Sequence, residues 1–255
     1  MKKLLFTIGD IHGEYDLLEE VLKAYDPKLH QLVLVGDLND RGPKVKESLL
    51  KGKELVEQEQ AVYIRGNHEQ MLLNFVQNPQ ERFVNYMRNG GKETIESLMY
   101  KGIFSEHSPK EVAQLLKEKW ADLLKFLDER PFYYEWNQYI CVHAGVDFEK
   151  SDWHDTDNQD FIWIREPFHT GKNNTGKKIV FGHTVTSLLH QDEEDYSIWH
   201  SDGKFGIDGG GVFGGIIHGA IFNDKGIVKD IQAKNPREGW HSPSEKEIEA
   251  LQNNQ

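Results

Sequence analysis

The sequence predicts an α/β fold, and three observations predict it. Short apolar runs at residues 4–8, 32–35 and 61–64 read as buried strands. Helical patterns separate them, so strands and helices alternate through the first 65 residues, as βαβ units require. Each of these strands ends in a glycine-flanked polar group, which is where open α/β sheets place their ligand sites.

The elements follow in order. Within residues 15–25, Leu17, Leu18, Val21 and Leu22 recur at helical spacing. Pro43 suits the first turn of a second helix running to about Glu59. Residues 69–127 read as a mostly helical insert, broken near Asn78-Pro79, Asn89-Gly90-Gly91 and Ser108-Pro109. Strand patterns return at residues 132–136, 139–142, 178–181, 197–199, 204–207 and 216–222. Asn223-Asp224-Lys225-Gly226 reads as a hairpin turn leading into a strand at 227–232. Residues 147–175 read as a polar surface excursion anchored by Phe161, Ile162, Trp163 and Ile164. The expected organisation is a single domain over residues 1–235 and a polar C-terminal tail over 236–255, frayed or weakly helical.

Composition narrows the function classes. A chain of 255 residues, 38% hydrophobic and 28% charged, is ordinary for a globular protein and long enough for a full core. A formal net charge of −12 argues against duplex nucleic acid as a partner. It leaves phosphorylated substrates open, because metal ions supply a positive field locally. The apolar stretch after Lys2 and Lys3 is too short for a signal peptide, and no run reaches the length of a membrane span, so the expectation is a cytoplasmic protein without a membrane partner. The lone Cys141 forms no internal disulfide and reads as a buried strand residue.

The chemistry sits in the loops after the strands. These read Gly9-Asp10-Ile11-His12-Gly13, Gly36-Asp37-Leu38-Asn39-Asp40-Arg41-Gly42, Arg65-Gly66-Asn67-His68-Glu69, His143-Ala144-Gly145 and Gly182-His183-Thr184. Mixed imidazole and carboxylate donors suit Mn, Fe or Zn better than Ca or Mg. A carboxylate shared by two ions creates the clamp used for phosphoryl displacement. Taken singly, Asp10 or Asp37 reads as well as a strand-end turn former. His143 or His183 alone reads as a satisfied core histidine. The five groups in this order favour a metal centre over either bland reading.

These motifs, with Ile162-Trp163-Ile164-Arg165-Glu166, resemble the PPP family of metallophosphatases, most closely the lambda-type bacterial and phage serine/threonine protein phosphatases. The resemblance covers residues 5 to about 222. It implies a two-sheet mixed β-sandwich flanked by helices. It also implies two divalent ions, manganese foremost. Asp10 and His12 would hold the first, Asp37 would bridge, and Asn67, His143 and His183 would complete the second. Arg41 and Arg165 would grip phosphate oxygens with their planar forks. His68 would protonate the leaving oxygen, oriented by Asp40. The implied reaction is direct attack of a metal-bridging hydroxide on a phosphomonoester, with phosphoserine or phosphothreonine in proteins as substrate. A symmetrical bis(5′-nucleosyl)-tetraphosphatase is the chief alternative, and an inactive phosphoprotein-binding module is a lesser one. Asn39 departs from the family, which usually has valine there.

Several other features carry less. Asp208 reads chiefly as a turn residue near a strand end, with support of the site as a secondary reading. Gly209, Gly211 and Gly214 match a dinucleotide fingerprint, but a strand pattern follows them rather than a helix. A surface role covering apolar area competes with the phosphate role of Arg165. His30, His107, His154, His169, His190, His200, His218 and His241 belong to no motif, and His218 is the one expected near a pocket.

Overall fold

The computed structural model describes residues 2–253, so Met1 of the expected domain and residues 254–255 of the expected tail lie outside the described residues. The chain opens with β1 (Leu4–Ile8), α1 (Tyr15–Leu22), β2 (His30–Leu34), α2 (Val45–Glu57) and β3 (Ala61–Tyr63). The insert supplies α3 (Asn67–Gln77), α4 (Pro79–Arg88), α5 (Gly91–Leu98), α6 (Pro109–Lys119) and α7 (Ala121–Asp128). There follow β4 (Tyr133–Trp136), β5 (Tyr139–Val142), α8 (Asn158–Trp163), α9 (Glu166–Thr170), β6 (Lys178–Phe181) and α10 (Thr186–His190). The remainder is β7 (Trp199–Ser201), β8 (Lys204–Gly206), β9 (Ile216–Phe222), β10 (Ile227–Lys234) and α11 (Glu245–Asn253).

Two five-stranded mixed sheets form, ordered β10-β9-β1-β2-β3 and β4-β5-β6-β8-β7. Each has three parallel strands: β1, β2 and β3 at one side of the first sheet, and β5, β6 and β8 at the centre of the second. Strand alternation sorts side chains between layers. Leu5, Val33, Val35 and Phe222 meet Cys141, Val180 and Phe205 in an apolar seam between the sheets. Phe6, Ile8, Leu32 and Leu34 face the helices on the other side. Ile140, Val142, Ile179 and Phe181 pack outward against Phe161, Ile162 and Phe168. The result is helices, sheet, sheet, helices. Each such fully buried side chain contributes roughly 1.5–3 kcal/mol of apolar burial.

Local chemistry explains the breaks in the insert. Ser108 caps α6 by accepting from the Glu111 N–H, while the Glu111 carboxylate accepts from the Ser108 N–H. Pro79 opens α4, and Gly90, at φ +95°, ends the turn before α5. A further break at Met99–Gly102 was not signalled by the sequence pattern; Gly102 adopts φ +84° there.

Three expectations differ from the structure. Helix α1 stops at Leu22 rather than Tyr25, with the last residues wound into tighter turns from Ala24 N–H to Val21 and from Tyr25 N–H to Leu22. The strand expected at 197–199 lies at Trp199–Ser201, set by its antiparallel pairing with β8. The excursion at 147–175 carries α8 and α9, so Phe161 and Ile162 face inward from a helix, as its spacing requires. The last segment ends in α11, whose Ile248 is buried in the core of the insert.

Candidate active site

The parallel strands of both sheets point their carboxyl ends at one place. Asp10 and His12 follow β1, Asp37 follows β2, and Asn67 follows β3. His143 follows β5, His183 follows β6, and Asp208 follows β8. Six strand ends, three from each sheet, therefore converge on one site. Asp208 occupies the sixth position. Its Oδ1 does accept from the Gly210 N–H at 2.9 Å, as a turn residue would, but its carboxyl also lines the cleft beside Arg41. The turn role and the supporting role weighed from the sequence are thus both present at this position.

The imidazole and carboxylate atoms fall into two overlapping groups. Donor atoms of His12, Asp37 and His68 lie within 4.8 Å of one another, and so do those of Asp37, His143 and His183. Asp37 is common to both. Asp37 Oδ2 lies 3.6 Å from His12 Nε2 and 3.4 Å from His143 Nε2. Asn67 Oδ1 sits 2.8 Å from His143 Nε2 and 2.9 Å from His183 Nδ1. Asp10 Oδ1 accepts from the His183 N–H at 2.8 Å, while Asp10 Oδ2 and His183 Nε2 are buried without a partner.

This arrangement fits divalent metal ions. The two orphaned atoms are both good ligands, and leaving such atoms buried and unpaired is costly. The tautomers are set from behind: His12 Nδ1 meets the Asn39 carbonyl at 2.8 Å, and His143 Nδ1 meets the Val35 carbonyl at 2.8 Å. Both histidines thus present Nε2 to the centre. Burial, then Arg41 and His68, hold His12 well below the usual imidazole range; burial, then His143 and Arg165, do the same for His183. Neutral imidazoles are the form that binds metals. Burial, then Asp208, raises the Asp10 carboxyl well above its usual range. Burial opposes ionisation of Asp37, yet His143 and His68 hold it well below the carboxylate range. Burial works against the charge on His143, but Asp37 and Asp10 raise it to about 10. The crowded carboxyls of Asp10, Asp37 and Asp208 form an acidic pit suited to cations.

The loops holding these groups are strained. Asp10, His12, Asp37, Asp40, Arg41 and His183 all adopt positive φ, between 45° and 70°. Such conformations cost roughly 1 kcal/mol or more each for residues with a Cβ. Hydrogen bonds hold them. The buried Glu69 carboxylate accepts from the N–H groups of Asp37 (3.0 Å), Leu38 (2.8 Å) and Gly66 (2.8 Å), and from the Tyr63 hydroxyl (2.8 Å). Glu69 thereby ties the loop after β2 to the loop after β3. Its role was missed in the sequence because nothing there separates it from the motif around it. Glycine is required at Gly182, where a Cβ would overlap Asp10 Oδ2, and at Gly66, where one would overlap Asp37 Oδ1.

Around this pit stand His68, Asp40, Arg41 and Arg165. His68 Nδ1 meets Asp40 Oδ2 at 2.6 Å. Asp40 is completely buried, and its other oxygen accepts from the Tyr86 hydroxyl at 2.9 Å and from the Thr94 hydroxyl. Arg41 donates to His12 Nε2 at 2.7 Å and to His68 Nε2 at 2.9 Å. A guanidinium only donates, so both Nε2 atoms accept, and His68 carries its proton on Nδ1, facing Asp40. Arg165 is exposed and donates to Thr184 Oγ1 at 2.7 Å. Asn39 Nδ2 donates to the His68 carbonyl at 3.0 Å, a bond valine could not make. The cleft lined by Arg41, His68, Arg165 and Asp208 measures about 260 Å³.

Other expectations resolve by position. His218 is buried behind the loop that carries Asp208, bonded to Asp230 at 2.9 Å and to the Tyr196 carbonyl at 2.7 Å, and it does not line the cleft. Gly209, Gly211 and Gly214 lead through a single 3₁₀ turn into β9, without the helix a dinucleotide fold needs. A larger groove of about 1030 Å³ between the α3–α4 junction and α6 gathers exposed polar residues and no ligand-type cluster.

Comparison with known proteins agrees with this geometry. The family model of the calcineurin-like phosphoesterases matches residues 5–205. Serine/threonine-protein phosphatase 1 of Salmonella typhimurium is 28% identical over 217 residues, covering 83% of this chain and 88% of that protein. A symmetrical bis(5′-nucleosyl)-tetraphosphatase of Dechloromonas aromatica is 32% identical over 143 residues, covering 55% of this chain and 43% of that protein. A solved structure described as a candidate diadenosine tetraphosphatase superposes with a TM-score of 0.65 at 19% identity, covering 94% of this chain and 95% of the other, a likeness of fold. No helix among the described residues is long and apolar enough to cross a membrane. The chain belongs to the calcineurin-like phosphoesterase family, as a metal-dependent hydrolase with a dinuclear centre.

Proposed function

We propose that this chain is a serine/threonine phosphoprotein phosphatase. The observation that carries the reading is Asp37 shared by two donor groups, with the His68–Asp40 pair and two arginines on the same cleft. In this reading Asp10, His12 and Asp37 hold one ion, and Asp37, Asn67, His143 and His183 hold the other. The donor set suits Mn²⁺, with Fe or Zn as alternatives. The ions, when bound, supply positive field at the phosphoryl oxygens and lower the pKa of water toward neutrality.

The protein's own groups do the rest. Arg41 and Arg165 turn their forks onto the phosphoryl oxygens, where charge is spread in the transition state. Once Arg41 binds phosphate, His68 Nε2 is released to carry the proton that the leaving oxygen takes. Asp40, held by Tyr86 and Thr94, stabilises the imidazolium. The cleft of about 260 Å³ is the size of a phosphoryl group and the first atoms of its ester.

The phosphoprotein choice is supported by the motif likeness and by the Salmonella phosphatase, similar along most of both chains. The second reading, dinucleoside tetraphosphate hydrolysis, is supported by the Dechloromonas relative. The test is kcat/KM for phosphoserine and phosphothreonine peptides beside diadenosine tetraphosphate, with Mn²⁺ and the nucleotide products resolved. A tenfold or greater advantage for peptides is expected; a large advantage for the dinucleotide overturns the choice. Fewer than two metals per chain and no p-nitrophenyl phosphatase activity would instead favour a binding module.

A further inference from the structure

We infer that Trp240, carried by the C-terminal strap, is a positioning residue for Arg41 and so belongs to the phosphate-binding machinery. This rests on the proposed role of Arg41 as a phosphate ligand.

Arg41 is an unusual cation. Its side chain is largely withdrawn from solvent, yet among the described residues no carboxylate oxygen lies within 4 Å of its guanidinium nitrogens. Its Nε is buried without a partner. Asp37, Asp40 and Asp208 act on the charge from further off, and aromatic rings stand directly against it. The guanidinium carbon lies 5.4 Å from the Trp240 ring centre and 5.1 Å from that of Phe213. The two rings are 6.3 Å apart and inclined at 58°, so they form a corner rather than a sandwich. The guanidinium rests in that corner.

The choice of partner has a chemical consequence. A carboxylate would hold the cation by its N–H groups, the same groups phosphate needs, and would compete with substrate. A ring face attracts the cation through its quadrupole and takes up none of its N–H groups. Arg41 is therefore backed by the rings, while its terminal N–H groups rest on His12 and His68, from which a phosphate would take them. Its own backbone does not favour this pose: it sits at φ +70°, with its N–H on the Gly90 carbonyl at 3.2 Å.

Trp240 is fastened at both ends. Its N–H donates to the Val212 carbonyl at 2.9 Å, and its indole N–H to Glu93 at 3.3 Å. Upstream, Asn235 donates to the Gly211 carbonyl at 2.9 Å, and Arg237 pairs with Glu14. Downstream, the Ser242 hydroxyl donates to the Arg88 carbonyl at 2.8 Å, Glu245 pairs with Arg88 at 2.9 Å, and Ile248 is buried in the insert. The strap thus runs from the loop after β8 to the helical insert across the back of Arg41. Its polar residues act through hydrogen bonds, not burial.

The experiment uses the full chain loaded with Mn²⁺. Trp240→Ala, Trp240→Leu and Trp240→Phe are compared for the Ki of inorganic phosphate and for KM and kcat on p-nitrophenyl phosphate, with melting temperatures alongside. Alanine and leucine should raise Ki and KM roughly five- to tenfold, the scale of a partly desolvated cation–π contact, with a smaller change in kcat. Phenylalanine should recover most of the loss. In an Arg41→Ala background, Trp240→Leu should add nothing. Equal and additive losses in both backgrounds, or phenylalanine no better than leucine, would overturn the inference. If Arg41→Ala itself leaves the Ki unchanged, the phosphate role of Arg41 fails first, which separates the two outcomes.

Discussion

Replacing Glu69 by glutamine tests how the site is held together. The four groups aimed at the Glu69 carboxylate are all donors: three N–H groups and one hydroxyl. Burial, followed by the nearby Asp37 charge, raises the pKa of Glu69. The geometry still favours the ionised form, because three of the four partners are N–H groups that can only donate. Glutamine keeps one acceptor oxygen and turns an NH₂ toward the Asp37 and Gly66 N–H groups, or toward the Leu38 N–H and the Tyr63 hydroxyl, which must then reverse to accept. Two hydrogen bonds to a charged acceptor are lost, each worth about 1.5–3 kcal/mol, and their donors remain buried. The expected cost is about 3–5 kcal/mol, against a total stability of roughly 5–15 kcal/mol. That corresponds to a fall in melting temperature of about 10 °C for a domain of this size.

Metal binding should fall as well. Glu69 joins the loop presenting Asp37 to the loop presenting Asn67. Supporting carboxylates of this kind typically account for a factor of about 10–100 in metal affinity. Urea unfolding of the EDTA-treated protein gives the stability term, and titration with Mn²⁺ gives the affinity. A variant within about 1 kcal/mol of the parent, with unchanged metal affinity, would show that the carboxyl is already neutral and that the loops do not depend on it.

Three further outcomes are expected. His68→Asn should lower kcat by a factor of about 10²–10⁴ on alkyl or phenyl phosphates, yet have little effect on p-nitrophenyl phosphate, whose leaving group departs unprotonated; equal losses on both would remove His68 as the acid. Burial, then Arg165 and Lys204, lowers His169 to about 4, below its unfolded value near 6.5, so its contribution is full above pH 6.5 and lost as pH falls toward 4. The span is worth roughly 2–3 kcal/mol after allowance for partial solvation, and His169→Phe should flatten that slope in unfolding curves taken across it; parallel curves would refute the assignment. Burial pushes the Cys141 thiol up, so the folded protein should resist thiol reagents and become modified only at its unfolding rate; fast labelling of native protein would contradict the apolar seam between the sheets.

What was legible in the sequence divides along a physical line. The strands and their ligand-bearing ends showed because apolar runs stop abruptly at Gly-Asp, Gly-Asn and Gly-His, a pattern that burial and backbone freedom both enforce. Asp10, His12, Asp37, Asn67, His143 and His183 all follow strands whose carboxyl ends converge on one place. The missed residues act through geometry that leaves no periodic trace. Glu69 lies within a helix start, and Tyr86 and Thr94 reach Asp40 from the insert. Trp240 lies in a segment whose polarity suggested fraying, because polarity measures only how much a segment buries and not how many hydrogen bonds fasten it. Six site residues at positive φ show why these supports matter. A strained loop keeps its shape only where neighbours over-determine it. The candidate ligands are written in motifs, but the forces that hold them in place are distributed over distant parts of the chain.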